Sequence, residues 1–372
     1  MSKEIHIISF DVPYPADYGG VIDVFYKIKA LHEMGVKIHL HCFTKGRIEQ
    51  PELEKYCSSV HYYSRGTGHK GISFQWPYIV ASRINESLNT RLLQDDFPIL
   101  IEGIHCSYPV FDPRFEGRKI VVRLHNFEHE YYDSLYKSSS HLLKKIYYQF
   151  EKRLLLKYEQ KLAKMATILA LSKTDAATYR TKLGAKNIHY VPVFSPFNKV
   201  NSQTGIGSYC LYHGNLGVAE NEKAAEWLLK EVFNDIKIPF VVAGKNPPSS
   251  LESLAHKQTH TCLVSNPGET EMQDLIQKAQ LCIIPSFNKT GIKLKLINTL
   301  SQSRHCITNA AGVEGSGLES ACHLGSNAAA MKSLVMQLYY QPFEEEEIKL
   351  RQHLLEAEFN PKQLAQQVIR WL

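Results

Sequence analysis

The 372-residue sequence contains no apolar run of the roughly 20 residues that a helix needs to cross a bilayer. Its opening, Met-Ser-Lys-Glu-Ile-His, is a polar lead into a short apolar stretch without a signal-peptide layout, so a cytoplasmic setting is expected. Cysteine is spread thinly: eight residues (Cys42, Cys57, Cys106, Cys210, Cys262, Cys282, Cys306 and Cys322) form no C-x-x-C, which argues against a zinc knuckle or a dithiol redox motif. No D-x-D is present to hold a divalent cation, and no G-x-G-x-x-G follows the first strand-like run. Solenoid repeats and low-complexity tracts are also absent. What is present, 44% hydrophobic and 22% charged residues, suits an ordinary globular protein with enough chain for two domains.

The net charge of +6 is concentrated. Residues 142–165 hold seven basic and two acidic side chains, a local +5. Leu143, Tyr147, Phe150, Leu154, Tyr158 and Met165 give this segment an apolar stripe. Its flanking lysines suit either a solvated face or peripheral contact with an anionic membrane. The acidic run Glu344 to Glu347 reads as a solvated helix start.

Along the chain, Glu4–Phe10 reads as a strand, and Val21, Val24, Phe25, Ile28 and Leu31 keep helical spacing up to Gly35. Val36–Phe43 reads as the next strand. With further strands at 99–102, 119–124 and 167–171, the pattern predicts a parallel sheet covered by helices. Residues 191–207, rich in Pro, Ser, Asn and Gly, read as a linker. Beyond it strands at 208–212, 240–243, 281–284 and 305–308 alternate with helices at 220–233, 272–278 and 292–302, a second α/β unit.

Four stretches suit ligand chemistry. Gly19 and Gly20 precede a helix, where free N–H groups and the dipole receive an anion, although a plain turn also uses glycine. Arg123 to Tyr132, with His125, Asn126 and Glu128, crowds polar groups at the carboxyl end of a strand, where open α/β sheets bind ligands. Tyr212-His213-Gly214-Asn215-Leu216 runs from strand to turn, where a glycine permits close approach of a phosphate or sugar. Gly291 is expected to open a helix on which Lys295 and Asn298 share a face, and lysines in a first turn oppose the dipole unless an anion offsets them.

In this order and spacing the stretches resemble the GT-B glycosyltransferases, specifically the retaining group often called family four (glycosyl transferases group 1), over nearly the whole chain. The resemblance rests on Gly19-Gly20 and on an R-x-H-N-x-E-H-x-Y pattern at Arg123 to Tyr131. It continues through Gly214-Asn215-Leu216 with Asn221 and Ala224-Ala225, and through Ala243-Gly244-Lys245-Asn246-Pro247. Gly291 to Thr299 align with G-x-[RK]-x-K-x-L-E-A, and Asn309, Gly312, Glu314 and Gly315 with T-x-x-G-x-E-G. One departure matters: Asn298 stands where the family has a ribose-binding Glu, and Thr290 stands eight residues earlier, where Glu is also common.

The resemblance implies an α/β fold of two Rossmann-like domains facing a central cleft. An acceptor domain would span 1–195, with a returning helix at about 357–372, and a nucleotide-sugar domain 206–356. It implies a hexosyltransferase-type enzyme acting on a glycan or lipid-linked acceptor in surface polysaccharide or lipopolysaccharide biosynthesis, with retention and without metal or nucleic acid. His125, Lys295 and Lys293 would serve catalysis. Gly214, Asn215, Lys245, Gly291, Asn298 and Glu314 would hold the donor, and Gly19, Gly20, Asn126 and Glu128 the acceptor or a phosphate. A nucleotide-sugar-binding pseudoenzyme and a dinucleotide-dependent oxidoreductase are the competing readings.

Overall fold

The computed structural model describes residues 3–44, 46–71, 73–139, 141–288 and 291–372. It divides into two compact units, Met1–Pro196 with Phe359–Leu372, and Phe197–Glu358. The first holds a seven-stranded parallel sheet: β1 (Glu4–Ser9), β2 (Lys37–Thr44), β3 (Ser59–Ser64), β4 (Ile99–Glu102), β5 (Ile120–Leu124), β6 (Thr167–Ala170) and β7 (Ile188–Tyr190), in the order β3-β2-β1-β4-β5-β6-β7. The second holds β8 (Cys210–Asn215), β9 (Phe240–Lys245), β10 (Thr261–Ser265), β11 (Leu281–Ile283), β12 (His305–Thr308) and β13 (His323–Leu324), in the order β10-β9-β8-β11-β12-β13. Each strand order reverses once, between β1 and β4 and between β8 and β11, which are the switch points where open α/β sheets leave a crevice.

Central strands such as β1 and β4 are buried on both faces, so they read as largely apolar runs, interrupted in β1 by His6. The edge strands β3 (SVHYYS) and β10 (TCLVS) are half-covered and mix polar residues, so hydrophobic periodicity missed them. The helix Gly19–Glu33 buries Val21, Val24, Phe25, Ile28 and Leu31, then stops at Gly35, whose φ of 77° suits a residue without a side chain. Gly19 and Gly20 therefore lie inside the first turn rather than ahead of it.

The closing helix Pro361–Trp371 belongs to the first unit. Asn360 caps it through the N–H groups of Lys362 and Gln363, and Leu364, Ala365 and Val368 join the cluster containing Val24 and Ile28. Lys3 Nζ donates to the Ile369 carbonyl at 2.8 Å.

The basic helix Leu142–Met165 departs from expectation. It buries Glu151, Leu155, Tyr158, Glu159, Leu162 and Ala163, while Leu143, Tyr147, Phe150 and Met165 of the expected stripe are exposed. The core covers only the part of the helix from Glu151 onward. No described helix is long and apolar enough to cross a membrane.

The tightest backbone approach in the second sheet is at Gly244, paired with Gly214 across β8 and β9. A Cβ on Gly244 would lie 1.8 Å from the Gly214 carbonyl oxygen. Gly244→Ala should therefore destabilise the protein by about 1–3 kcal/mol, the usual range for overpacking. Urea unfolding checks this, and an unchanged midpoint would show that the strands separate freely.

Candidate functional site

In the second unit, Asn221 joins the carboxyl end of β8 to Lys295. Its Nδ2 donates to the Asn215 carbonyl at 3.0 Å, and its Oδ1 accepts from Lys295 Nζ at 2.8 Å. Lys295 also donates to the Tyr212 hydroxyl at 3.2 Å and stands over that ring, 4.9 Å from its centroid. Burial pulls the ammonium down to about 8, with Glu220 opposing that fall and Lys293 adding to it. His213 meets Thr299 Oγ1 at 2.8 Å, and burial, with Lys295 beside it, takes the imidazole down to about 3, so it stays neutral. Across the switch point Ser286 Oγ donates to Glu220 Oε1 at 2.8 Å, and Asn309 holds the backbone of Ser286 through both ends of its amide.

The helix Leu294–Gln302 begins on this floor. Lys293 is its N-cap and its side chain makes no cap bond, and the first turn carries no acidic residue. Gly291 does not open this helix. It lies three residues ahead with φ of 68°, a conformation that favours glycine. Gly214 lies in β8 rather than in a turn, and a Cβ there would press on Asn221 at 3.3 Å. Asn215 and Lys245 end β8 and β9, with the Lys245 carbonyl accepting from the Leu216 N–H at 2.8 Å. Asn298 is half-buried, and its Oδ1 accepts from Gln302 at 2.9 Å, so one acceptor is tied within the helix. Glu314 follows the short helix Ala310–Val313, which Asn309 caps through the Gly312 N–H. Thr290 lies outside the described residues.

In the first unit a buried charge network sits at the ends of β4 and β5. Lys27 Nζ contacts Asp23 at 2.8 Å and Glu102 at 2.9 Å. Arg123 meets Asp23 at 3.0 Å and donates to the carbonyls of Val191 and Pro192 at 2.6 and 2.7 Å, while Asp23 accepts from the Phe194 N–H at 2.8 Å. His125 Nε2 meets Glu102 at 3.0 Å. Burial pushes the Asp23 carboxyl up, but Arg123 and Lys27 overcome it and hold the group well below the usual range. Asp23, Glu102 and His125 are close enough to share a cation. Two cations already balance the two carboxylates there, so a divalent ion would leave the buried cluster strongly positive.

The R-x-H-N-x-E-H-x-Y stretch divides between interior and site. Arg123 is wholly buried as a clamp, and His129 Nδ1 meets the Lys152 carbonyl at 2.8 Å. Glu128 starts the helix Glu128–Ser138, where burial pushes its carboxyl up to about 7 against the Asn126 hydrogen bond and Arg83. Glu159, from the basic helix, accepts the N–H groups of Glu128 and His129, each at 3.0 Å. A protein carboxyl thus occupies that helix start, while His125 is nearly buried against Glu102 and Asn126 is half-buried with its side chain on Glu128. In contrast, the helix at Gly19 and Gly20 has neither a side-chain cap nor an acidic first turn.

Sequence reasoning missed Asp23, Lys27, Glu102, Glu159, Glu220 and Ser286, which no motif marks. Asn221 was visible as the Asn before Ala224-Ala225, though not as the hub. A G-x-G-x-x-G does occur at Gly66–Gly71, behind β3, but it falls on a 3-10 turn (Gly68–Gly71) and opens no helix of the dinucleotide kind.

Residues 207–339 match the model of the family described as glycosyl transferases group 1. An uncharacterized 44.6 kDa protein in the cps region of Klebsiella pneumoniae is 26% identical over 334 residues, 84% of each chain. Among solved structures, Anabaena Alr3699/HepE, in complex with UDP and glucose, has a TM-score of 0.66 at 9% identity over 100% of this chain and 99% of its own. WaaG, a glycosyltransferase involved in lipopolysaccharide biosynthesis, has a TM-score of 0.64 at 11% identity over 98% of each chain. The two sheets are the Rossmann-like units of the GT-B fold. The fold is therefore that of the GT-B structures, and the C-terminal unit matches the group 1 family model over residues 207–339.

Removing Asp23 would leave Arg123 and Lys27 facing one carboxylate in the interior. Asp23→Ala should cost about 3–5 kcal/mol in urea unfolding, the range for breaking a buried pair. A loss under about 1 kcal/mol would show that the network does not hold the end of the first unit.

Proposed function

We propose that the protein transfers a sugar from a nucleotide-sugar to a hydroxyl of a glycan or lipid-linked acceptor, with retention of configuration, in surface polysaccharide or lipopolysaccharide biosynthesis. One observation carries the donor site: a helix start with no acidic residue in its first turn and no cap bond from its N-cap side chain bears Lys293 and Lys295, with Lys295 held in place by Tyr212 and Asn221. Two lysines against a positive dipole end cost free energy that a diphosphate offsets. The UDP and glucose bound by the Anabaena neighbour support a donor of this class, and WaaG and the cps-region relative support the polysaccharide setting.

In this reading the donor lies on the C-terminal unit. Lys295 and Lys293 face the diphosphate, Gly214, Asn215 and Lys245 line the floor, and Asn298 and Glu314 take the ribose and sugar hydroxyls. As the glycosidic bond breaks, negative charge grows on the leaving phosphate, and an already positioned ammonium is worth more there than in the ground state. That phosphate accepts the acceptor's proton as the new bond forms on the same face, so no protein nucleophile is needed. The acceptor is held by the N-terminal unit, with the helix start at Gly19 and Gly20 and the half-buried Asn126 as its polar contacts. His125 orients a sugar hydroxyl, and Glu102 fixes its ring. The lysines supply the charge that a divalent cation would otherwise bring, so turnover is expected to persist in EDTA.

The exposed start of the basic helix supports placement at the cytoplasmic membrane face. Leu142, Leu143, Ile146 and Phe150 are exposed beside Lys144, and Phe74 packs edge-on against Phe150 while itself 86% exposed. That pairing of apolar and cationic side chains fits an anionic lipid surface.

Two measurements test these readings. Lys295→Ala should lower kcat by about 10²- to 10³-fold with a normal melting profile, while wild-type kcat/KM should fall above about pH 8 as the ammonium loses its proton. Lys295→Arg should remove that alkaline limb, because a guanidinium stays charged. A wild-type kcat in Lys295→Ala would place the donor elsewhere, and donor binding without transfer or hydrolysis would favour the pseudoenzyme. Sedimentation with vesicles should depend on anionic lipid and weaken in Leu143→Ser. Equal recovery with neutral vesicles would leave the helix simply solvated.

A further inference from the structure

At the opposite edge of the second sheet, away from the carboxyl ends that form the donor floor, three side chains converge from separate segments. His305 starts β12, His323 starts β13, and Glu347 lies in the first turn of the helix Glu345–Phe359. The register pairs Ile307 with His323, and His305 is two residues before Ile307, so both imidazoles project from the same face of the sheet. Their rings lie 5.5 Å apart, and one ligating atom from each of the three residues falls within 4.8 Å of the other two.

The hydrogen-bond pattern prepares these groups as ligands. His305 is fully buried, and its Nε2 lies 3.1 Å from the Gln341 carbonyl, which can only accept, so this nitrogen donates. Its Nδ1 lies 3.5 Å from Glu347 Oε1, and this buried nitrogen makes no hydrogen bond of normal geometry. Glu347 cannot turn away at no cost, because its Oε2 accepts from the Glu344 N–H at 3.2 Å. Fixing a ring through the second nitrogen and a carboxylate through its second oxygen is how protein metal sites orient their ligands. The opposing feature is the charge of Arg351 nearby, whose terminal nitrogens donate to Ser202 Oγ and to the carbonyls of Leu300, Ser303 and Arg304.

We propose that His305, His323 and Glu347 bind one zinc ion, separate from the donor site, with the fourth position open to water. Two imidazoles and a carboxylate suit Zn²⁺, whose bonds of about 2.0–2.2 Å place tetrahedral ligand atoms roughly 3.3 Å apart. The 3.5 Å His305–Glu347 separation already matches, and His323, half-buried, closes the remaining gap by side-chain rotation. Such an ion would tie the edge strand β13 and the helix Glu345–Phe359 to the start of β12. Cys306 and Cys322 alternate to the other face of the sheet and do not enter the ligand set.

The test uses the full chain stripped with a chelator and then titrated with Zn²⁺ or Co²⁺. Wild type should retain one zinc per chain after gel filtration, melt at a higher temperature with zinc than without, and give the visible absorption of four-coordinate Co²⁺. His323→Ala and Glu347→Gln, both at half-exposed positions, should fold as the stripped wild type does, lose the cobalt band, and bind zinc at least about 10-fold more weakly. Cys322→Ser and Lys295→Ala should bind zinc as wild type does. No stoichiometric zinc in wild type, undiminished binding in His323→Ala or Glu347→Gln, or loss of binding in Cys322→Ser would overturn the proposal.

Discussion

The organising interaction of the first unit is the buried contact between Asp23 and Arg123. Both side chains are withdrawn from water, so each needs the other, and the surplus charge of one draws in the next: Lys27 bridges Asp23 to Glu102, and Glu102 holds His125. The same guanidinium takes the carbonyls of Val191 and Pro192, and the same carboxylate takes the Phe194 N–H. One network therefore joins the first helix, two strand ends and the segment leaving the sheet. It also sets the ring of His125, so a candidate site residue takes its orientation from groups that meet no ligand.

Two helix starts in the protein solve the same electrostatic problem differently. At Glu128 the exposed N–H groups are met by Glu159, a buried carboxyl from a neighbouring helix. At Leu294 the first turn carries no acidic residue and the N-cap side chain makes no cap bond, and lysines stand there instead. The first start is met by a carboxyl from within the fold, whereas the second sets ammonium groups at a positive dipole end, with Glu220 acting on Lys295 against that charge. This contrast ranks the ends of the strands as places for an anion more sharply than glycine content does, since glycine precedes or enters several of these helices.

The likeness to the GT-B fold was legible because it resides in local order: strand, Gly-rich turn, helix, repeated in two halves, with lysines at one helix start. Lys295 and the helix on which it sits followed from spacing alone. The start of that helix did not, because Gly291 resembles an opening signal while its positive φ makes it part of the preceding turn. The edge strands β3 and β10 were illegible because half-covered strands need not be apolar on both faces.

Sequence by itself determined the alternation of elements, the two-unit organisation and the residue types available for phosphate chemistry, because each depends on neighbours within a turn or a strand. Only the tertiary structure decided which charged residues became interior. Asp23 and Arg123 are one hundred positions apart, and Lys27 and Glu102 seventy-five. Their pairing follows from strand order, which brings the ends of β1, β4 and β5 together. The same holds for His305, His323 and Glu347, which carry no common motif and meet only through the register of β12 with β13 and the return of a helix start. Desolvation gives these groups their strength and their cost, and desolvation is a property of what surrounds a side chain after folding rather than of what adjoins it along the chain.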